Sequence, residues 1–206
     1  MSLADFARNL GVSEVLHYTS QRGVMGTVMK KALLSREQVE NDPDIAFIFE
    51  GVWERKDPEW VDYISLSLTR INLDLYRRSR KRFPDYWWAI LSFDVEILDH
   101  EGVWFTTTNN TYPVCQRGQG QDGLQAMFGP EVPWGRRGSV KSRWTGMPDA
   151  WTTCQTAEVL YPRQIDLDHL RQIYVPGAQH RRLVQAWAEV YEAGELPIKV
   201  DIAPFS

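Results

Sequence analysis

The stretch "VDYISLSLTRINLDLYRRSRKRFPDYWWAILSFDV", residues 61–95, sets the architecture that we predict for the rest of the chain. Apolar and polar residues alternate over 61–69, which predicts a strand with Ser65 and Ser67 on one face. Residues 72–84 favour a short helix that ends at Pro84, because proline cannot continue a helix. The apolar run 86–95 then predicts a strand at the centre of a sheet.

Two further segments precede this stretch. "EVLHYTS", residues 14–20, predicts a strand. Ser20 can cap a helix over "QRGVMGTVMKKALLS", residues 21–35, where Val24, Val28, Met29, Ala32 and Leu33 recur at helical spacing, although Gly23 and Gly26 weaken the pattern.

The second half of the chain consists mainly of strands with few intervening helices. Residues 102–112 are strand-like up to an asparagine pair, and "QTAEVLYP", 155–162, alternates like a strand. A helical turn and another strand follow at 166–176, and "PIKVDI" is strand-like near the C-terminus. This order of elements predicts an α+β fold rather than a doubly wound sheet.

Two segments carry further expectations. Residues 116–153 contain seven glycines, three prolines and three tryptophans, which predicts a long irregular loop of functional importance. Residues 178–196 predict an amphipathic helix. The apolar face that we expect on this helix consists of Leu183, Ala186, Trp187, Val190 and Tyr191.

Composition restricts the class of protein. A chain of 206 residues fits a single domain, 1–206, and its apolar content suffices for a normal core. No segment has the length of a membrane helix or the pattern of a signal peptide, so we expect a cytoplasmic protein without a membrane partner. Two cysteines and four scattered histidines predict neither a disulfide framework nor a metal site.

Charge is unevenly distributed along a chain whose net charge is −4. Basic residues concentrate in 70–82 and 115–143, whereas acidic residues concentrate in 37–62. Local basic stretches on an acidic chain suit a confined site for a polyanion, but either stretch could equally be an ordinary solvated face.

Three polar features on predicted strands are candidates for a site. His17 lies near the end of the first strand, Ser65 and Ser67 lie on the second, and Glu158 lies on a late strand after the long loop. Each has a plain structural alternative: a satisfied histidine, a solvated strand face or a surface carboxylate.

Taken together, these residues resemble the ADP-ribosyltransferase superfamily, and more closely the DarT group of toxins that modify DNA bases with NAD. The resemblance covers most of residues 14–176, and the C-terminal helix and strand, 178–206, lie outside it. It rests on "LHYTS…LLS" (16–35), "YISLSLTRINLDLYRRSRKRFPDYWWAILSFDVEIL" (63–98), "FTTTNN" (105–110), "GLQAMF" (123–128) and "QTAEVLYP…LRQIYV" (155–175).

The resemblance implies a split mixed β-sheet with flanking helices, and a site for NAD without a metal. Glu158 would be the catalytic carboxylate that stabilises the positive charge on the ribose, and Arg70 would contact the pyrophosphate or the base. The residues implied for NAD binding are His17, Tyr18, Thr19, Ser65, Ser67, Asn72 and Tyr76.

The loop before Glu158 would bind the target, because cations neutralise phosphates and aromatic rings stack on unpaired bases. The residues implied for this contact are Arg136, Arg137, Lys141, Arg143, Trp144 and Gln155.

The implied activity is transfer of ADP-ribose to guanine or thymine in single-stranded DNA, with a slight preference for guanine. A toxin of this kind implies a macrodomain antitoxin and a role in defence against phage. The alternatives are transfer to RNA or protein, hydrolysis of NAD, and a non-catalytic module that binds nucleic acid.

Overall fold

The computed structural model of the chain describes residues 1–46, 58–135 and 138–205. It has an α+β architecture, as predicted, in which an eight-stranded mixed sheet is flanked by helices. The helices are α1 (Leu3–Asn9), α2 (Gln21–Lys30), α3 (Arg36–Asn41), α4 (Leu73–Arg82), α5 (Gly120–Ala126) and α6 (Ala178–Val190). The strands are β1 (Val15–Ser20), β2 (Ala32–Leu34), β3 (Tyr63–Leu68), β4 (Trp88–Phe93), β5 (Trp104–Thr106), β6 (Arg117–Gly118), β7 (Glu131–Pro133), β8 (Val140–Ser142), β9 (Glu158–Pro162), β10 (Gln164–Asp166), β11 (Leu170–Val175) and β12 (Ile198–Val200).

The main sheet has the strand order β12-β11-β4-β1-β3-β9-β5-β6. The apolar strand β4 is buried at every residue and lies between β1 and β11, which agrees with the central position predicted for it. The strands β10 and β2 form one two-stranded sheet, and β7 and β8 form another.

The main sheet splits between β1 and β3. These two strands pair at only two positions, Val15 with Leu68 and Leu16 with Ser67. Beyond them, β1 continues along β4 as far as Ser20, while β3 continues along β9 as far as Tyr63. The two halves of the sheet therefore diverge and leave a cleft between the strands that carry His17 and Ser65.

The helix after β1 begins where the sequence predicts but ends earlier. The Ser20 hydroxyl accepts a hydrogen bond from the Gly23 N–H, which caps α2. Lys31 adopts a left-handed conformation with φ 56° and ends the helix. Ala32 and Leu33, assigned to the helix from their spacing, instead belong to β2, which pairs with β10.

Helix α4 agrees with its prediction. The Asn72 side chain caps it by accepting a hydrogen bond from the Leu75 N–H at 3.1 Å, and the helix ends before Pro84. Its basic residues Arg77, Arg78, Lys81 and Arg82 are exposed to solvent.

The segment 116–153 is more ordered than the irregular loop that we expected. It contains β6, α5 and the β7–β8 hairpin. These elements were not predicted because they are short and rich in glycine, which usually indicates a loop. Here the glycines at 118 and 123 are needed for packing, since a Cβ on Gly123 would lie 2.4 Å from the Gly118 carbonyl. The glycines therefore allow α5 to approach β6.

The predicted apolar face of α6 is wrong in register. Val184 and Ala188 are buried, whereas Leu183 and Val190 are 40% and 72% exposed. Trp187 and Tyr191, which belong to both faces, pack partly on the core. No helix in the described part of the chain is long and apolar enough to cross a membrane.

Candidate active site

The cleft between the two halves of the sheet holds a cavity of about 390 Å³. Its walls come from β1, β3, α2, α4 and the start of β9, so it collects residues that are far apart in the sequence. The predicted site residues in its lining are His17, Tyr18, Thr19, Ser65, Ser67, Asn72 and Glu158.

His17 connects the two diverging strands. Its Nδ1 lies 3.0 Å from the Ser65 carbonyl oxygen, so the ring donates from Nδ1 in the tautomer that forms this hydrogen bond. The contact leaves Nε2 as the nitrogen directed away from Ser65. His17 therefore has a defined orientation at the point where the sheet opens.

The polar face of β3 lines the cavity as the alternation predicts. Ser65 and Ser67 are half-buried, whereas Ile64, Leu66 and Leu68 between and beside them are buried in the core. Asn72 borders the same cavity, but its side-chain oxygen is already used to cap α4. Asn72 thus has a structural role in positioning α4, whatever it contacts in a complex.

Tyr76 lies behind the cavity wall rather than in its lining. It is 4% exposed and packs edge-on against Tyr18 and Trp88, with ring centroids 5.7 and 6.3 Å away. Burial raises the pKa of its phenol. The structure therefore brings Tyr76 to the predicted site as a support for the Tyr18 ring.

Glu158 begins β9 and lies in the cavity lining on the side opposite β1. Its backbone is fixed by Thr106 of β5, whose hydroxyl accepts from the Glu158 N–H at 2.9 Å and lies 3.1 Å from the Glu158 carbonyl oxygen. Its carboxylate Oε2 accepts a 2.7 Å hydrogen bond from the Asn110 backbone N–H. The carboxylate is thus held in one orientation at the cavity.

Arg117 holds the Asn110 turn from the outer side. Its guanidinium donates to the Asn110 side-chain oxygen and to the Asn110 carbonyl oxygen, both at 2.6 Å. No sequence pattern pointed to a role for Asn110 or Arg117 in the site. The only signal for them was the "FTTTNN" segment, 105–110, and the basic content of 115–143.

Arg70 is not in the cavity lining. Its guanidinium carbon lies 3.9 Å from the centroid of the Trp151 ring, and its buried Nε has no hydrogen-bond partner among the described residues. Burial lowers the pKa of this group. Arg70 is therefore a partly buried cation. Among the described residues, no hydrogen bond from its Nε compensates for the hydration that burial removes.

The loop residues predicted to bind nucleic acid have different environments. Trp144 is 55% exposed and packs edge-on against Trp151, and the exposed Lys141 ammonium lies 4.3 Å from the centroid of Trp134. Arg143 donates to the carbonyls of Trp151 and Pro148 at 2.6 and 2.9 Å, so it braces the loop. Gln155 is half-buried just before β9, whereas 136–137, which are Arg136 and Arg137, lie outside the described residues.

Potential metal ligands and thiols can also be located in the described part of the chain. No cluster of histidine, cysteine, aspartate and glutamate there could hold a metal ion. Cys115 and Cys154 are buried free thiols, and burial raises the pKa of Cys115, which keeps it protonated.

Comparison with protein families gives one match over most of the chain. A family model described as "DarT: ssDNA thymidine ADP-ribosyltransferase, DarT" matches residues 16–205. The match includes the C-terminal helix and strand, which the resemblance found in the sequence did not cover. A search of curated proteins finds no match.

Solved structures with the same fold carry DarT names. DarT from Thermus sp. 2.9 in complex with NAD+ has a TM-score of 0.64 and 12% identity, over 94% of this chain and 98% of that chain. The same protein in complex with ADP-ribosylated ssDNA has a TM-score of 0.61 and 13% identity, over 95% and 97% of the two chains. Thermosipho africanus DarTG in complex with ADP-ribose has a TM-score of 0.57 and 13% identity, over 94% of this chain and 51% of that chain.

Proposed function

We propose, since this chain belongs to the DarT family of single-stranded DNA thymidine ADP-ribosyltransferases, that it transfers ADP-ribose from NAD to a thymine base of single-stranded DNA and releases nicotinamide. The observation that carries the proposal is the placement of Glu158 in the cleft of the split sheet, opposite His17 and beside Ser65 and Ser67. The family description favours thymine over the guanine to which the sequence analysis inclined.

The cavity suits a nucleotide substrate. Its volume of about 390 Å³ is within the usual range for ligand sites, and both polar and aromatic groups line it. We assign His17 to a hydroxyl of the adenosine-side ribose, and the backbone of Tyr18 and Thr19 to the nicotinamide amide. Ser65 and Ser67 would line the nicotinamide end, since they lie on the diverging half of the sheet that faces β1.

Glu158 has the chemistry that the transfer needs. When the bond between the ribose C1′ and the nicotinamide nitrogen breaks, its electron pair leaves with nicotinamide and positive charge grows on the ribose. A fixed carboxylate stabilises that charge without reorganising, and the Asn110 N–H keeps it in place. Glu158 can then take the ring N–H proton of thymine as that nitrogen bonds to C1′.

Arg70 is proposed as an anion-binding residue for the NAD pyrophosphate or the target base. A partly buried guanidinium whose Nε has no partner in the described residues favours a negatively charged neighbour. Asn72 and Tyr76 would support the NAD site from behind. Asn72 does so by capping α4, and Tyr76 by packing against Tyr18.

The biological setting is also part of the proposal. One of the neighbouring structures is described as DarTG, and we propose that this chain acts in the cytoplasm as a toxin paired with a macrodomain antitoxin in defence against phage. We further propose that 1–206 acts as one catalytic domain in which 116–153 contacts the target strand. Lys141, Trp144 and Gln155, together with 136–137, would contribute to that contact.

The test uses labelled NAD and separate pools of single-stranded DNA, duplex DNA, RNA and protein, with the wild type beside Glu158→Gln. The isosteric amide keeps the shape but cannot take a proton. We expect label on single-stranded DNA with the wild type, and a loss of at least about 100-fold with Glu158→Gln. Equal labelling by the variant would overturn the assigned role of Glu158.

Homopolymer oligonucleotides then identify the base: label on oligo(dT) supports thymine and label on oligo(dG) alone overturns it. Label on RNA or protein without label on DNA would favour the same fold acting on another target. Nicotinamide release without labelled product indicates an NAD glycohydrolase, and DNA binding without nicotinamide release indicates a non-catalytic module.

A further inference from the structure

One half of the split sheet presents a continuous face towards the cavity and beyond it. Directly paired residues of antiparallel strands have their side chains on the same face. Thr106 of β5 pairs with Glu158 of β9 on one side and with Arg117 of β6 on the other. Trp104 pairs with Leu160, two residues along each strand from that pair, so Trp104 shares the face of Glu158 and Arg117.

An aromatic group, which consists of Trp60, Tyr63 and Trp104, covers part of this face. Trp60, in the short 3₁₀ helix Pro58–Trp60 before β3, has its ring centroid 4.9 Å from that of Tyr63 and 5.6 Å from that of Trp104. The Arg117 guanidinium carbon lies 5.8 Å from the Trp60 centroid. Trp60 and Tyr63 also line the cavity, and all three rings are half-buried, so part of each is accessible to a ligand.

The position of this group relative to Glu158 decides what it can bind. The residues assigned to NAD come from β1 and from Ser65 and Ser67 of β3, on one side of Glu158. Trp104 and Arg117 belong to β5 and β6, on the far side of β9, and Trp60 contacts both. Tyr63 begins β3, at the end of that strand farthest from its pairing with β1. An acceptor must reach the ribose on the face opposite the departing nicotinamide, so it must approach from the side that NAD does not occupy.

We propose that Trp60, Tyr63 and Arg117 form the subsite for the acceptor nucleotide, distinct from the contacts proposed for Lys141, Trp144 and Gln155. An unpaired nucleobase would stack on the Trp60 ring, and Arg117 would supply positive charge for a phosphate of the same strand. Aromatic rings interleaved with arginine are the usual means of binding unpaired bases. The inference rests on the proposed function, because it assigns the acceptor of that reaction.

The test separates DNA binding from NAD binding and from transfer. Affinity for a fluorescein-labelled oligo(dT) is measured by anisotropy without NAD, and affinity for carba-NAD, in which the ribose–nicotinamide bond is not cleaved, by calorimetry. The variants are Trp60→Ala, Trp60→Leu, which keeps apolar packing against Trp104, and Trp60→Phe, which keeps an aromatic face. Thermal melting shows which variants are folded.

We expect Trp60→Leu and Trp60→Ala to weaken oligo(dT) binding roughly 5- to 150-fold, with Trp60→Phe close to wild type and carba-NAD affinity unchanged. Folded Trp60→Leu with wild-type DNA affinity would overturn the subsite. So would a loss of carba-NAD affinity with DNA affinity intact, because Trp60 would then contact NAD. Failure of the wild type to label DNA would instead contradict the proposed reaction, since the binding measurement requires no transfer.

Discussion

The backbone N–H of Asn110 donates a 2.7 Å hydrogen bond to Oε2 of Glu158, across 48 residues of sequence. Asn110 is in turn held through its side chain and its carbonyl by Arg117. The orientation of the candidate catalytic carboxylate therefore depends on Arg117, an exposed arginine that holds the Asn110 turn. Arg117 is therefore a positioning residue for Glu158, besides the contact with a DNA phosphate that we propose for its charge. The two roles can be tested separately.

Arg117→Lys should separate them, because lysine keeps the charge but cannot donate to both Asn110 oxygens in the planar geometry of a guanidinium. We expect kcat for DNA labelling to fall about 10- to 100-fold while oligo(dT) affinity stays within a few-fold of wild type. Arg117→Ala should lower both. Steady-state kinetics at saturating NAD and anisotropy give the two values, and a lysine variant with full kcat would exclude the positioning role.

The strands of the site could be predicted from the sequence, because each has a local signature. The alternation at Tyr63–Leu68 predicts which residues of β3 face the cavity and which face the core. Ser20, as the cap of the next helix, predicts where β1 ends. The contacts that hold Glu158 could not be predicted in the same way. Thr106 and Asn110 lie in the strand-like segment 102–112 and Arg117 lies in the segment expected to be irregular, but their hydrogen bonds depend on the strand order of the finished sheet, which no local pattern reveals.

Helix α6 shows a related limit. Alanine, valine and tryptophan are distributed around it so that two neighbouring apolar faces fit a helical period equally well. The packing of α6 against α2 selects the face with Val184 and Ala188, and leaves Val190 in solvent. A choice between adjacent faces is made by the partner element, which periodicity alone does not reveal.

Arg70 provides a second prediction, which distinguishes a role in binding substrate from a role only in packing against Trp151. Arg70→Ala should raise the KM for NAD or lower kcat, by about 100-fold in kcat/KM, because a charge-assisted contact to an anion would be lost. Arg70→Lys should recover part of that loss through its charge. Full activity of folded Arg70→Ala would instead leave Arg70 as a packing partner of Trp151, and a melting curve establishes whether the variant is folded.

Trp144 provides a third prediction. Because its ring is 55% exposed, its replacement should change the free energy of unfolding little. If it stacks on a base of the target strand, Trp144→Ala should raise the KM for oligo(dT) roughly 5- to 150-fold and leave the KM for NAD unchanged. Trp144→Phe is the matched control and should retain most of the affinity. A KM for DNA that is equal in wild type and Trp144→Ala would remove Trp144 from the DNA contact.

His100 leads to a prediction about stability in acid. Its Nδ1 lies 2.6 Å from the hydroxyl of Tyr161 on β9, and burial, with the neighbouring His169, lowers its pKa, although Asp99 opposes this shift. A neutral imidazole can accept from Tyr161, but the protonated ring cannot. Because the folded-state pKa is below the ordinary value of 6.5, the unfolded chain binds a proton more readily.

The stability that neutral His100 provides is therefore complete above about pH 6.5 and is lost as the pH falls below it. We expect the Tm of the wild type to fall between pH 7.5 and about pH 5, and that of His100→Gln to fall less over the same range. Burial also lowers the pKa of His180, so adding His180→Gln should flatten the profile further. Scanning calorimetry in matched buffers measures these slopes. Parallel profiles for wild type and the double variant would assign the acid sensitivity to other groups, because both histidines would then titrate alike in the folded and unfolded chains.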